Sequence, residues 1–185
     1  MAKKIKRIWI DPGHGGSDPG AAANGVVEKV INLIVAMELT RLLKKAGFIV
    51  GISRTNDLFV GLTERCQMAN QFGADIFVSV HHNAGGGDGY ECIHSIHHGA
   101  GADLAHEIAD AFGKLGQNPH GAKAVYSREG QHGDYYAVIR QTNMPAVITE
   151  YAFLDSPDVK AVDTTGELLA EANAIFTAIL NYCKE

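Results

Sequence analysis

A single-domain α/β fold is predicted: a mainly parallel twisted sheet of about six strands, with helices on both faces. Three observations carry this expectation. Short apolar runs of strand length alternate along the chain with longer stretches whose apolar residues recur at helical spacing. Residues 76–80, Ile-Phe-Val-Ser-Val, form an apolar run that suits a strand covered on both faces. The length of 185 residues favours one domain with a substantial core, and no internal repeat, low-complexity tract or Pro-rich linker interrupts it. The expected domain therefore spans 1–185.

The elements follow in order. Residues 5–10 read as a first strand, ended by Asp11-Pro12-Gly13. The stretch 13–25 is rich in Gly, Asp, Pro and Asn and reads as a loop. Residues 28–46 carry Val30, Ile31, Ile34, Met37 and Leu42 at helical spacing, and Gly47 is a good helix stop. A strand over 48–53 and a helix over 62–72 come next, the helix with Leu62, Met68, Ala69 and Phe72 as candidate buried positions. After the strand at 76–80, a Gly-rich turn at 85–89 leads to a strand over 90–95 and a helix over 100–115. A short strand at 124–126, a short helix at 135–141, a strand at 146–151 and a closing helix at 168–182 complete the expected set.

Composition excludes several classes. A net charge of −5 argues against a nucleic-acid binder, which carries a basic excess or stripe. Cys66, Cys92 and Cys183 form no C-x-x-C pair, so neither a disulfide framework nor a thiolate metal site is expected, and the odd count fits synthesis in a reducing compartment. No apolar run has the length of a signal peptide core or a membrane span. Synthesis in the cytoplasm, without an export signal and without membrane insertion, is expected. Neither G-x-G-x-x-G nor the P-loop pattern is present, which leaves little case for phosphate binding.

Ligands of open α/β sheets bind beyond the carboxyl ends of the strands. The first strand delivers His14 there within Asp11-Pro-Gly-His-Gly-Gly16, the third delivers His81-His82-Asn83, and the strand near the C-terminus ends on Glu150. Glu28 opens the first helix and lies on the same side. Histidines and glutamates from distant positions thus converge. Three neutral or anionic N/O ligands with an open fourth position make the pattern of a catalytic zinc site, although two His and a carboxylate also hold iron or manganese. The remaining carboxylate suits a general base. Plainer readings exist for each residue: the glycines as backbone geometry alone, Glu28 as a helix N-terminal acid. Glu150 is the most telling, because a carboxylate ending an apolar strand is costly unless paired or functional.

Six motifs stand in order: Ile10-Asp-Pro-Gly-His-Gly-Gly-Ser-Asp-Pro-Gly20, Gly25-Val-Val-Glu28, Leu62-Thr-Glu-Arg65 followed by Ala69-Asn70, Phe77-Val-Ser-Val-His81-His-Asn83-Ala84, Gly89-Tyr-Glu91 and Pro145-Ala-Val-Ile-Thr-Glu150. In this order and spacing, from about Lys6 to Tyr182, the chain resembles the zinc-dependent N-acetylmuramoyl-L-alanine amidases of the amidase-3 type, found in bacterial autolysins and phage endolysins. The resemblance implies that His14, Glu28 and His81 bind one zinc ion, that Glu150 is the catalytic glutamate, and that His82 fills the variable place after His81. It implies hydrolysis of the amide bond between N-acetylmuramic acid and L-alanine in peptidoglycan, by a monomer acting at the cell wall. Release by a phage pore-forming protein (a holin), use inside a sporulating cell, or membership of a secreted parent chain all fit. Asn83 and Arg140 are candidate substrate contacts, and His132 a candidate for the groove. Ligand histidines need an acceptor for their other ring nitrogen; the sequence does not identify it, though Asp11, Ser79 and Glu91 lie near the metal motifs. His94, His97 and His98 are expected at the surface, His106 solvated, and Glu167 and Glu171 on a solvated helix face.

The chain departs from the family pattern after the glutamate, where Ala152 replaces a glycine and Asp155-Ser156 the usual polar pair. The segment between Glu91 and Pro145 has no room for the autoinhibitory helical insertion of some cell-division amidases, so an open site is expected. Two other classes remain: a peptidase or carboxypeptidase on a similar sheet, with Arg140 as the candidate carboxylate clamp, and a catalytically inert wall-binding module.

Overall fold

A computed structural model describes residues 5–121 and 124–184. The elements run β1 (Arg7–Pro12), β2 (Ala22–Ala23), β3 (Val26–Val27), α1 (Glu28–Lys45), β4 (Ile49–Ile52), α2 (Leu62–Phe72), β5 (Ile76–Asn83), β6 (Glu91–His94) and α3 (Ala100–Lys114). They continue with β7 (Val125–Ser127), β8 (Glu129–Gly130), β9 (Gly133–Asp134), α4 (Ala137–Arg140), β10 (Ala146–Phe153), a 3-10 turn (Pro157–Ala161) and α5 (Thr165–Tyr182). Six strands form one sheet in the order β4-β1-β5-β10-β6-β7. Neighbours pair in parallel except β10 with β6, so β6 and β7 run against the other four.

The period-two alternation of strand side chains builds a core on each face. Ile8, Ile10, Ile76, Val78, Val80 and Val147 point into the larger cluster, under α1, α3 and α5. Trp9, Phe77, Ala146 and Ile148 point to the other face, against Cys66 and Ala69 of α2 and Val138 and Ile139 of α4. The strands β5 and β10 extend past the expected 80 and 151 to Asn83 and Phe153. His81, His82 and Glu150 therefore sit within paired strand, and the same alternation sets which way each one faces.

Several expectations need correction. The buried stripe of α1 is Ile31, Val35, Leu39 and Leu43, whereas Val30 and Met37 are 49% and 42% exposed. The stripe a helix buries is set by where its partners lie, and here they are the sheet and α5. Leu62 of α2 is 60% exposed and Arg65 is buried in its place; the reason is the site below, where Arg65 finds four acceptors. Helix α5 starts at Thr165 rather than 168, because Thr164 accepts from the Glu167 backbone and the Glu167 carboxylate reaches back, a capping box. Glu167 therefore caps α5. Glu171 is fully buried, not solvated, because His82 supplies a partner inside the core. His94 is also buried rather than exposed, with its Nδ1 on the Ser95 carbonyl at 2.7 Å.

Candidate metal centre and active site

The loop after β1 carries the first histidine in a strained conformation. His14 has φ 60°, a left-handed geometry uncommon outside glycine. Two buried arginines hold it there. Arg54 donates to the carbonyls of Pro12 (3.1 Å), Gly13 (2.8 Å) and Lys29 (2.8 Å). Arg65 donates to the carbonyls of Val60, Pro12 and His14, and its Nη1 meets Asp11 Oδ1 at 2.7 Å. Asp11 also accepts from Ser79 Oγ at 2.8 Å. The loop is thus clamped through its own carbonyls, with four of the five Arg65 donors engaged in holding it.

Glu28 enters from the first turn of α1, and His81 from β5. His14 Nε2 lies 3.1 Å and His81 Nδ1 3.0 Å from Glu28 Oε1. One donor atom from each of the three residues lies within 4.8 Å of the other two. Two glycines make the approach possible: a Cβ at Gly13 would stand 2.1 Å from the His81 ring, and one at Gly20 would stand 2.4 Å from Glu28 Oε2. Two imidazoles and one carboxylate are the donor set that suits zinc, and the cluster opens to one side. The residues present therefore fit a single divalent ion.

The groups around this triangle decide its electrostatics. Burial pushes the Glu28 carboxyl up, but hydrogen bonds with His14 and His81 outweigh it and hold the group far below the usual carboxylate range. His14 Nδ1 meets Asp18 Oδ2 at 2.8 Å, and this acceptor turns the ring's other nitrogen inward. The acceptor is Asp18, not Asp11, Ser79 or Glu91. Asp11 is taken by Arg65 and Ser79, and Glu91 Oε2 accepts from Asn83 at 2.7 Å.

Glu150 pairs in register with His81 of β5 and with Glu91 of β6. Its Oε2 is out of contact with solvent and has no hydrogen-bond partner among the described residues. Burial first, then the charges of Glu28 and Glu91, raise its carboxyl well above the usual range. It lines a cavity of about 410 Å³ together with His14 and His81, walled by Phe59, Leu62, Val138 and Ile148. A carboxyl held ready to keep a proton thus sits beside a cation site in an apolar cleft, the environment that suits general acid–base work.

The other candidates lie elsewhere. Asn83 points to the same face as His81 but is pinned between Glu91 and the Ala84 backbone. Arg140 donates to the Asp134 and Tyr135 carbonyls, bracing the loop before α4. Both Arg140 and His132 line a second cavity, of about 450 Å³, that does not include the metal cluster. The roles of Asp18, Arg54 and Arg65 were missed in the sequence. Asp18 and Arg65 stand inside quoted motifs, and the i, i+4 spacing of His14 and Asp18 was the available signal; Arg54 gave none.

Comparison with known proteins agrees with this geometry. The amidase-3 family, described as N-acetylmuramoyl-L-alanine amidase, matches residues 8–181. The N-acetylmuramoyl-L-alanine amidase CwlM of Bacillus licheniformis is 42% identical over 159 residues, covering 81% of this chain and 57% of its own length. A sporulation-specific N-acetylmuramoyl-L-alanine amidase of Bacillus subtilis is 38% identical over 152 residues, with the same 81% and 57% coverage. The chain thus spans little more than half the length of these relatives. The N-acetylmuramoyl-L-alanine amidase AmiC2 of Nostoc punctiforme superposes with a TM-score of 0.86 at 25% identity, covering 100% of both chains. The chain belongs to the amidase-3 family of N-acetylmuramoyl-L-alanine amidases.

Proposed function

We propose that this chain hydrolyses the amide between N-acetylmuramic acid and L-alanine in peptidoglycan, holding one zinc ion on His14, Glu28 and His81. The observation that carries the reading is the triangle of donor atoms opening onto a cleft beside the unpartnered carboxyl oxygen of Glu150. Family membership and the names of the relatives support the substrate.

Zinc bound there supplies Lewis-acid polarisation of the carbonyl and acidifies water. The chain does the rest. With its Nδ1 hydrogen donated to Asp18, His14 presents a bare Nε2 inward. The Arg54 and Arg65 clamps keep that ring in place as substrate enters. Glu150 accepts a proton from the attacking water at its free oxygen and returns it to the departing amine of L-alanine. Its raised proton affinity suits a group that takes up a proton, and the first transfer uses its carboxylate form. Phe59, Leu62 and Val138 give the cleft an apolar wall. Asn83, one register step beyond His81 on the same face, contacts the substrate at the rim, while Arg140 acts by bracing its loop.

A carboxypeptidase needs an arginine free to clamp a terminal carboxylate. Arg65 spends four of its five donors on Asp11 and the loop carbonyls, and Arg140 lies outside this cleft, so neither offers the paired donors of a carboxylate clamp, which favours the amidase. Among the described residues, the long helix between Glu91 and Pro145 is α3, which packs into the core with α5 rather than over the cleft. This supports an open site acting directly on the wall, in a lysin or autolysin.

The test is digestion of purified peptidoglycan, with and without chelator and with Glu150→Ala alongside. The expected result is new L-alanine amines without new reducing sugars, lost on chelation, restored by zinc and absent in the variant. Amines released from within the peptide would make this a peptidase. Absence of any release from several wall types would leave a binding module.

A further inference from the structure

His82 fills the variable place beside a metal ligand, yet it is the most completely enclosed histidine of the motif. Its side chain and that of Glu171 are both 0% exposed. His82 Nδ1 lies 2.7 Å from Asn32 Oδ1, and Nε2 lies 3.1 Å from Glu171 Oε2. Asn32 Nδ2 in turn lies 3.2 Å from Glu28 Oε1 and 3.4 Å from the Gly13 carbonyl. The His82 backbone N–H reaches the same Glu28 oxygen at 3.2 Å.

Hydrogen-bond directions in this chain admit one arrangement. Glu28 Oε1 and the Gly13 carbonyl are acceptors, so the Asn32 side facing them must be its NH₂. A flipped amide would set oxygen against two oxygens. The Asn32 carbonyl therefore faces His82, and His82 Nδ1 must carry a hydrogen to donate to it. Nε2 meets Glu171 Oε2 at 3.1 Å, with one hydrogen between them. Glu171 thereby selects the tautomer of His82, His82 orients Asn32, and Asn32 orients the Glu28 carboxylate. The route runs from the middle of α5, through β5, to the first turn of α1.

A buried, half-satisfied polar chain needs a reason. Glu171 Oε1 has no partner among the described residues, and burying such a group unpaired is costly. An apolar pair would remove that cost but leave Asn32 Oδ1 without its donor. Resting on the reading of Glu28 as a metal ligand, we propose that Glu171 and His82 are positioning residues: through Asn32 they fix the Glu28 oxygen in the metal-binding pose, so that metal affinity is set in part from α5.

The experiment measures zinc affinity of the purified protein by competition with a chromophoric chelator, together with the visible spectrum of the cobalt-substituted form. In His82→Leu/Glu171→Met, both members of the pair become apolar and Asn32 Oδ1 loses its donor, so the Glu28 carboxylate loses its brace. Zinc affinity should fall about 10–100-fold, the range for partners that orient metal ligands, and the cobalt bands should shift. Glu171→Gln keeps a partner on Nε2 and the hydrogen on Nδ1, so it should bind zinc within about threefold of the native protein. Asn32→Ala and Glu171→Met should be non-additive, since both break one chain. Native affinity and an unchanged cobalt spectrum in the double variant would overturn the proposal, as would additive single effects. Should that variant not fold, the His82 ring nitrogens of the native protein can be followed by NMR: a shift on adding zinc is expected, and none would overturn it. Failure of the native protein itself to bind zinc would instead sink the metal reading.

Discussion

The sheet carries histidines at both of its ends, and only one end has the form of a metal site. At the carboxyl end of β1 and β5, His14 and His81 share one carboxylate oxygen, and their glycine neighbours leave room for the rings to meet. At the other end, His94 and His98 lie with ring centres 5.3 Å apart, and His98 lines a cavity with His97 and His132, yet among the described residues no third ligand converges on them. The nearest carboxylate there, Asp134, is already taken by Ser95 Oγ at 2.8 Å and the Ile96 N–H at 2.6 Å. The His94 Nδ1 is spent on a carbonyl. The lesson is that a metal site is made by an acid whose lone pairs are left facing the histidines, not by the number of histidines.

Five substitutions break or sharpen this comparison. The largest effect is expected from Glu150→Ala at the carboxyl end, about 10²–10⁴-fold in turnover of peptidoglycan, the range for a lost general acid–base group. His98→Ala at the far end, an exposed position, should leave turnover within about twofold. Equal losses in a parallel rate assay would erase the distinction between the two ends.

Next is Asp18→Ala, which removes the acceptor that orients His14. Zinc affinity measured by chelator competition should fall about 10–100-fold. Asp134→Ala, which cuts a carboxylate of the far end, should leave zinc stoichiometry at one ion per chain. A native affinity in Asp18→Ala would mean that the Arg65 clamp alone orients the ring.

The smallest effect concerns stability. Burial, then Glu28 and Glu91, raise the Glu150 carboxyl, so the folded state holds that proton more tightly than the unfolded one. Stability is then fullest below the unfolded value near 4.3 and is lost as pH rises from there towards the raised folded value. Glu150→Gln should therefore raise the melting temperature of the chelated protein at pH 7 by roughly 2–4 °C, about 1 kcal/mol at this chain length. The gain should vanish near pH 4. A gain equal at both pH values would mean that the effect is one of packing rather than charge.

Much of the fold was legible because its signals are local. Alternating apolar runs marked all six strands of the main sheet to within a few residues, and Gly47 and Gly73 closed helices where glycine's left-handed freedom is used. The candidate site's main members were legible because short motifs place them at or near the carboxyl ends of strands. What escaped was pairing. Glu171 looks like a solvated helical acid until α5 is laid against β5 and meets His82. Leu62 looks like core until the cleft opens beside it. Arg54 and Arg65 look like surface charge until the loop of His14 turns its carbonyls towards them.

By itself, the sequence determined the elements, their α/β order and the residue types that reach the carboxyl edge, because period-two and helical patterns act over a few residues. Only the tertiary structure decided which acids serve the metal ligands, which cleft faces them, and that two adjacent histidines point to opposite sides, one 21% exposed in the cleft and one sealed under α5. Those choices depend on whichever group from a distant segment arrives within hydrogen-bond reach, and burial makes each such meeting either satisfied or costly.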